Sequence, residues 1–387
     1  MVVGFLMAST LLMLMLPFLF PILIISAGRV VKGHIYDTPE APNTDAGTRP
    51  MVSVIIPIHR KSGVIKQKLH DIAASDYPIN RMEIILMLDG LVKGIEEALA
   101  EFKKEATEAP RLTVISCKRS GKNTVLNSAV EHSSGSILVF TDADARLDPS
   151  AISLLIRPFS NIDVGGACGL HLLSSKKGAQ RTYWNIESLI KTAEQKLLGR
   201  LTASYGTMSA IRKDLFTPIP LHVADDLYLL LSVVSQGRRF SFCPQARVYI
   251  EKPSQTLLDE IKRRRRIVSQ SLGTLKHFNA LMNPFKHGLY AVCLMCHKLL
   301  RRLVPLNAIL LFLLCLWQAL WGSEIFVVLT FIQAGVYGLF GTLLFRAVKE
   351  KNTPTFLKVP VYFFATNMGM LMGTIDFVRN KTQTIWE

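Results

Sequence analysis

Acidic residues are scarce in this chain. Its 387 residues hold 29 Asp plus Glu against 45 Lys plus Arg, a formal net charge of +16. An excess of that size suits anionic partners: lipid head groups, diphosphates or nucleic acid. Cysteine is sparse too. Cys117, Cys168, Cys243, Cys293, Cys296 and Cys315 are scattered and show no disulfide framework, which favours a reducing compartment. No Lys or Arg precedes the first apolar run, so the basic opening of a cleaved signal peptide is missing. The GxxxxGK[ST] spacing of a phosphate-binding P-loop is absent as well.

What is present begins with long apolar runs. Gly4–Ile25 carries no charge and is long enough to span a bilayer core. Arg29, Lys32 and Arg60 follow it, and the positive-inside tendency then puts the next domain in the cytoplasm. Residues 1–28 therefore read as an uncleaved anchor and 29–50 as a linker. Near the C-terminus lie Leu303–Trp321, Ile325–Phe345 and Phe356–Ile375. Only Gly322, Ser323 and Glu324 join the first two, which predicts a tight helical hairpin. Arg301, Arg302, Arg346, Lys349 and Lys351 flank its open ends. The third run reads as a span or a re-entrant helix, so 303–387 forms a membrane region. Residues 256–302 mix the basic run Lys262–Arg266 with apolar positions Leu289, Val292, Met295 and Leu299 at helical spacing. That mixture predicts amphipathic helices on the inner membrane face.

Two small patterns read as incidental. Cys293-Leu-Met-Cys296-His297 matches the haem-attachment spacing, but its neighbourhood is apolar and basic. Two small apolar residues on a membrane-facing helix is the simpler reading. Asn380-Lys381-Thr382 fits a glycosylation sequon on a tail expected in the cytoplasm.

From 51 to 255 the pattern changes. Val52–Ile56, Met82–Leu88, Leu112–Ser116 and Ile137–Phe140 are short apolar runs. They alternate with helical stretches at Gly63–Ala74, Gly94–Lys104 and Lys122–His132. This predicts an α/β domain with a mostly parallel sheet. Ligands of such sheets bind beyond the carboxyl ends of the strands. Asp89, the Lys118–Lys122 loop and the Asp142/Asp144 pair terminate these runs and are expected on one edge.

Each motif has a chemical reading and a plain one. Asp142-Ala143-Asp144 puts two hard carboxylates at a strand end, a site for Mg²⁺ or Mn²⁺ with room for phosphate oxygens; otherwise it is a solvated turn. At Arg119–Asn123, Gly121 permits close backbone approach and Lys122 opens a helix whose N-terminus favours phosphate; otherwise it is a basic loop. Asp225 and Asp226 sit at a helix start, where carboxylates often serve as caps. Alternatively one of them is a general base, since two crowded carboxylates can push one pKa up. Arg263–Arg266 is a membrane-surface face, or one arginine grips a diphosphate.

In order along the chain, the motifs resemble the family 2 glycosyltransferases of GT-A fold, in particular the bacterial membrane-bound branch related to polysaccharide synthases. The resemblance runs from Val52 to the C-terminus. It rests on SVIIPIHR (Ser53–Arg60), LDG (Leu88–Gly90), SGKNTVLN (Ser120–Asn127), FTDADA (Phe140–Ala145) and YGTMSAIRKDLF (Tyr205–Phe216). It continues through ADD (Ala224–Asp226), ARVYIE (Ala246–Glu251), RRRRI (Arg263–Ile267), NPFKHG (Asn283–Gly288) and CHKLLRRLVP (Cys296–Pro305).

The resemblance implies an inverting, metal-dependent hexosyl transfer from a nucleotide sugar, a UDP-sugar first, to a membrane lipid or lipid-linked acceptor. Pro57, Ile58, His59, Arg60 and Asp89 would hold the nucleotide, with Asp89 on the base. Lys122 and Asp142 would hold the donor, with Asp142 and Asp144 on the divalent cation. Gly206, Thr207, Met208 and Ser209 would line the acceptor side. Asp226 looks like the catalytic base, supported by Asp225, and Arg266 would meet the diphosphate. The processive members' Gln-x-x-Arg-Trp is here Arg263–Ile267, without the tryptophan, which argues against polymer translocation. The other rivals are a processive synthase despite this, and a non-catalytic subunit of the same fold. No nucleic-acid module is readable. An inner-membrane, multi-pass protein is expected, its oligomeric state open.

Overall fold

The computed structural model describes residues 2–31, 49–60, 62–173, 179–250, 256–350 and 357–381. Most of the linker, Lys351, Glu251 and the Thr382 of the sequon lie outside them. The chain divides into two compact units, one built on Ile24–Pro253 and the other on Met1–Leu23 with Ser254–Gln383.

The first unit is an eight-stranded mixed sheet with helices between its strands. Its elements are β1 (Val52–Ile58), α2 (Ile65–Ala73), β2 (Met82–Asp89), α3 (Ile95–Glu105), β3 (Arg111–Cys117), α4 (Lys122–Glu131), β4 (Ile137–Thr141) and β5 (Ala145–Leu147). Then come α5 (Ala151–Ile156), β6 (Val164–Leu173), α6 (Ala179–Leu198), β7 (Met208–Arg212), α7 (Asp225–Ser235) and β8 (Arg239–Ile250). The strand order is β3-β2-β1-β4-β7-β6-β8-β5. β1 through β4 are mutually parallel, and β7 enters antiparallel beside β4.

β1, β2 and β4 are buried at every position. Strands covered on both faces carry continuous apolar runs instead of alternation, which is why the sequence shows them so plainly. β3 is an edge strand and alternates in exposure. β1 runs two residues beyond Ile56, through Pro57 to Ile58. Ile56, Ile84, Leu86 and Val139 centre the core; burying each such side chain contributes about 1.5–3 kcal/mol.

Parallelism puts the carboxyl ends of β1, β2 and β4 on one edge. Antiparallel β7 begins on that edge, because Thr141 at the end of β4 pairs with Met208 at the start of β7. Residues 57–60, 89, 118–122, 141–144 and 206–207 are thereby gathered from five separate stretches.

The second unit is helical: the first part of α1 (Val2–Val30), α8 (Leu257–His277), α9 (Pro284–Leu294), α10 (Arg301–Leu320), α11 (Glu324–Glu350) and α12 (Lys358–Val378). Among the described residues, four helices are long and apolar enough to cross a membrane: Val3–Val30, Pro284–Leu320, Glu324–Lys349 and Lys358–Val378. Gly322, with φ +86°, makes the turn between α10 and α11. No break separates 302 from 303. α9 continues through a π-turn at Met295–Leu300 into α10, giving one apolar stretch of 37 residues. The basic pair that suggested a boundary fits inside the helix, where Arg302 donates to Ser271 Oγ (2.9 Å) and to the Lys298 carbonyl. Cys293 and Cys296 are buried within this unit, so they are packing residues and do not face lipid.

α8 and α12 approach closely. A Cβ on Gly369 would lie 2.7 Å from the Ile261 carbonyl, and one on Gly373 2.4 Å from that of Arg265. The arginine run seals this contact. Arg265 pairs with Asp376 on α12. Buried Glu260 accepts from Arg263, Arg264 and the Tyr362 hydroxyl. Three of the four arginines thus serve internal pairing. Arg266 has no ion pair or hydrogen-bond partner among the described residues.

Candidate active site

Lys122, the first residue of α4, is the centre of the strand-end edge. Its ammonium lies 2.9 Å from Asp142 Oδ1 and 2.9 Å from Asp225 Oδ2. Burial disfavours its charge, but the two carboxylates outweigh that and hold its pKa above the ordinary lysine value. A cation bridging the 142–144 turn and the first turn of α7 is the electrostatic core of the site. The surrounding crevice is lined by Pro57, Lys122, Asp142, Gly206, Ser209, Asp225 and Asp226, with apolar Leu126, Phe140 and Leu229.

The adjacent carboxylates of α7 have different environments. Asp225 is engaged by Lys122. Asp226 accepts from the Leu227 N–H (2.7 Å) and faces Gly206, where an added Cβ would lie 3.5 Å from that of Asp226. α4 positions this helix start. Asn123 donates to the Pro220 and Val223 carbonyls (2.7 and 3.0 Å), while Asn127 exchanges two hydrogen bonds with Ile219. These asparagines, four apart on one helix face, were not singled out by the sequence reading. Their i, i+4 spacing in a polar stretch was the available signal.

Asp142 and Asp144 flank a tight turn, in which the Ala145 N–H donates to the Asp142 carbonyl (3.2 Å). No group of three or more His, Cys, Asp or Glu suited to a metal occurs among the described residues. Two hard oxygen donors remain, one already holding a cationic ammonium. Such a partial set suits a divalent ion whose other ligands come from phosphate.

Asp89 differs from expectation. It is fully buried, and it accepts from the Ser120 N–H (2.7 Å) and the Gly121 N–H (3.3 and 3.2 Å). The amides expected to face phosphate are therefore taken by an internal carboxylate. Gly121, at φ +92°, permits the tight wrap. Neither Asp89 nor Asp144 lines the crevice. His59 Nδ1 lies 2.8 Å from the Asp89 carbonyl and so carries its proton. Ile58 and Met208 point into the core, leaving Pro57 and Gly206 with Ser209 as the crevice contacts of their segments. Arg60 has a left-handed backbone, φ +66°. Asp89→Ala is expected to cost about 1–3 kcal/mol by stranding two buried amides, read as a fall in Tm.

The family models agree with this geometry. "Glycosyl transferase family 2" matches residues 53–219, and "Glycosyl transferase family group 2" matches 137–340. The chain is 25% identical over 216 residues to the probable glycosyltransferase YdaM of Bacillus subtilis, covering 53% of this chain and 51% of that protein. It is 24% identical over 172 residues to an undecaprenyl-phosphate 4-deoxy-4-formamido-L-arabinose transferase of Edwardsiella ictaluri, covering 43% and 50%. It thus spans about half the length of these relatives. Among solved structures, the mannosyltransferase PcManGT of Pyrobaculum calidifontis, in complex with GDP-Man and Mn²⁺, shares the fold. Its TM-score is 0.70 at 20% identity, covering 97% of this chain and 99% of that one. With a GT-A sheet, an acid-lined crevice at its strand ends and a family model spanning more than half its length, this chain belongs to the family 2 glycosyltransferases.

Proposed function

We propose that the chain transfers one sugar, with inversion, from a nucleoside-diphosphate sugar to a lipid-linked or glycolipid acceptor at the membrane. The observation that carries this reading is the Lys122 ammonium held between Asp142 and Asp225, with Asp226 in the same crevice. Lys122 binds the donor diphosphate, which displaces one of its carboxylates. Asp226 takes the proton of the acceptor hydroxyl, whose oxygen bonds to the anomeric carbon as the bond to the diphosphate oxygen breaks. Asp225 keeps Lys122 oriented. Asp142 and Asp144 would hold a divalent cation, which would supply positive charge to the departing nucleoside diphosphate. The family resemblance would assign Arg266 to that diphosphate as well.

Four long apolar helices and a relative named for undecaprenyl phosphate support a lipid-linked acceptor. We place the sheet unit on the cytoplasmic side of the inner membrane, on the strength of Arg29, Arg301, Arg302, Arg346 and Lys349 beside the apolar helices. The expectation of uridine rested on Asp89, whose carboxylate is occupied by the 120–121 amides. The donor test therefore spans uridine and guanosine sugars.

Membranes containing the protein are expected to move radiolabel from one such donor into the lipid extract, one sugar per acceptor. EDTA abolishes the transfer, and Mn²⁺ or Mg²⁺ restores it. Transfer that survives EDTA removes the metal from this scheme. A ladder of products makes the enzyme processive, and inertness toward every donor makes it a non-catalytic subunit.

A further inference from the structure

Beneath the Asp142–Asp144 turn lies a side chain that the scheme above does not use. Lys68, on α2, is completely buried. Its Nζ donates to Thr141 Oγ1 (2.7 Å) and to the Ala145 carbonyl (2.6 Å). Those two residues stand immediately before and after Asp142-Ala143-Asp144. One side chain thus grips both ends of the three-residue turn. Thr141 passes the connection on, because its hydroxyl donates to the Thr207 carbonyl (2.9 Å), and the same carbonyl accepts from the Asp142 N–H (3.3 Å). One helical turn along α2, Asp71 grips the segment that follows the turn. It takes the Arg146 guanidinium at 2.7 and 2.9 Å and the Leu147 N–H at 3.1 Å.

A buried amine is a poor choice for packing. Taking it out of water is costly, and methionine fills similar space without that cost. The amine must therefore do something an apolar chain cannot. Desolvation pushes its pKa down to about 7, against the pull of Asp71, Asp142 and Asp144. In either protonation state the amine supplies an N–H for each of its two acceptors.

We propose that Lys68 is a positioning residue that holds the donor–cation turn in register with the acceptor segment, acting on Asp142 and Asp144 through Thr141 and Ala145. This inference rests on the reading that those aspartates hold a divalent cation. Carboxylates on a turn gripped at both ends are pre-set for binding, and releasing one end lets their spacing wander.

The test uses the detergent-solubilised full chain and free-Mn²⁺ electron paramagnetic resonance, with UDP and GDP in separate arms. Mn²⁺ binding by the unaltered protein in either arm is the reference. Lys68→Met is expected to weaken Mn²⁺ binding tenfold or more and to lower kcat, with Tm changed by only a few degrees. Thr141→Val reproduces the defect, and Thr141→Ser, which keeps the hydroxyl, does not. The double variant Lys68→Met/Thr141→Val loses no more than the worse single one, as residues acting through one contact do. Unchanged Mn²⁺ affinity in Lys68→Met, or fully additive losses in the double variant, overturns the positioning role alone. Should Lys68→Met not fold, Thr141→Val against Thr141→Ser decides: equal Mn²⁺ affinity in the two overturns the role. Absence of Mn²⁺ binding by the unaltered chain in both arms overturns the cation reading and this inference with it.

Discussion

Asp226→Asn is expected to lower the rate of sugar transfer by about 10²–10⁴-fold, the range for loss of a general base, and to leave donor affinity where it was. The substitution is nearly isosteric, and the amide oxygen still accepts from the Leu227 N–H that holds the side chain at 2.7 Å. Lys122 keeps both of its carboxylates, because it pairs with Asp142 and Asp225 and not with Asp226. The donor's anionic end therefore meets an unaltered cation. What disappears is the group able to receive a proton beside Gly206. Removing one negative charge from the first turn of α7 costs about 0.3–1 kcal/mol, and Asp225 remains there, so Tm falls little. Nucleotide-sugar affinity by calorimetry together with single-turnover transfer makes the comparison. A variant that turns over normally rules Asp226 out as the base. A variant that loses donor binding in step with rate moves Asp226 to the donor side.

Arg266→Ala is expected to lower kcat by about 10²–10³-fold, as loss of one positive contact to a developing diphosphate does, without loosening the helical unit. Arg265→Ala is expected to do the reverse. The difference lies in who is paired. Arg265 is bound to buried Asp376, and truncating it strands a carboxylate among helices. Fully buried pairs lose more when broken, but the Arg265 side chain is 38% exposed, so about 1–3 kcal/mol is the expected cost. Arg266 makes no ion pair or hydrogen bond among the described residues, so its removal is expected to change Tm little. Melting curves beside kcat for the two variants separate these roles. Normal turnover in Arg266→Ala would falsify its part in leaving-group stabilisation.

The same four arginines show where reading from the chain stops. A run of like charges has one appearance in a sequence, a solvated or membrane-facing face. Three of its members are instead consumed by Glu260 and Asp376, and Asp376 lies 111 residues from its partner. Asp89 gives the same lesson at the site. Its place at the end of β2 follows from the apolar run before it, but the ligand of its carboxylate depends on how the 119–121 loop folds back. Lys68, one of two lysines in an amphipathic helix, becomes a buried brace only because Thr141, 73 residues away, comes to rest above it.

By itself, the sequence determined the four parallel strands, the edge on which their polar ends gather, the four apolar helices and the turn between α10 and α11. Each follows from local hydrophobic pattern, which burial on both faces of a strand or one length of helix imposes directly. Tertiary structure alone decided the pairings. It inserted β7 antiparallel beside β4, gave Lys122 to Asp142 and Asp225, occupied Asp89 from within, and left Arg266 without an ion pair among the described residues. Hydrogen bonds and ion pairs reach only about 3 Å. Which charges meet is therefore settled by packing between distant segments, and no spacing along the chain encodes it.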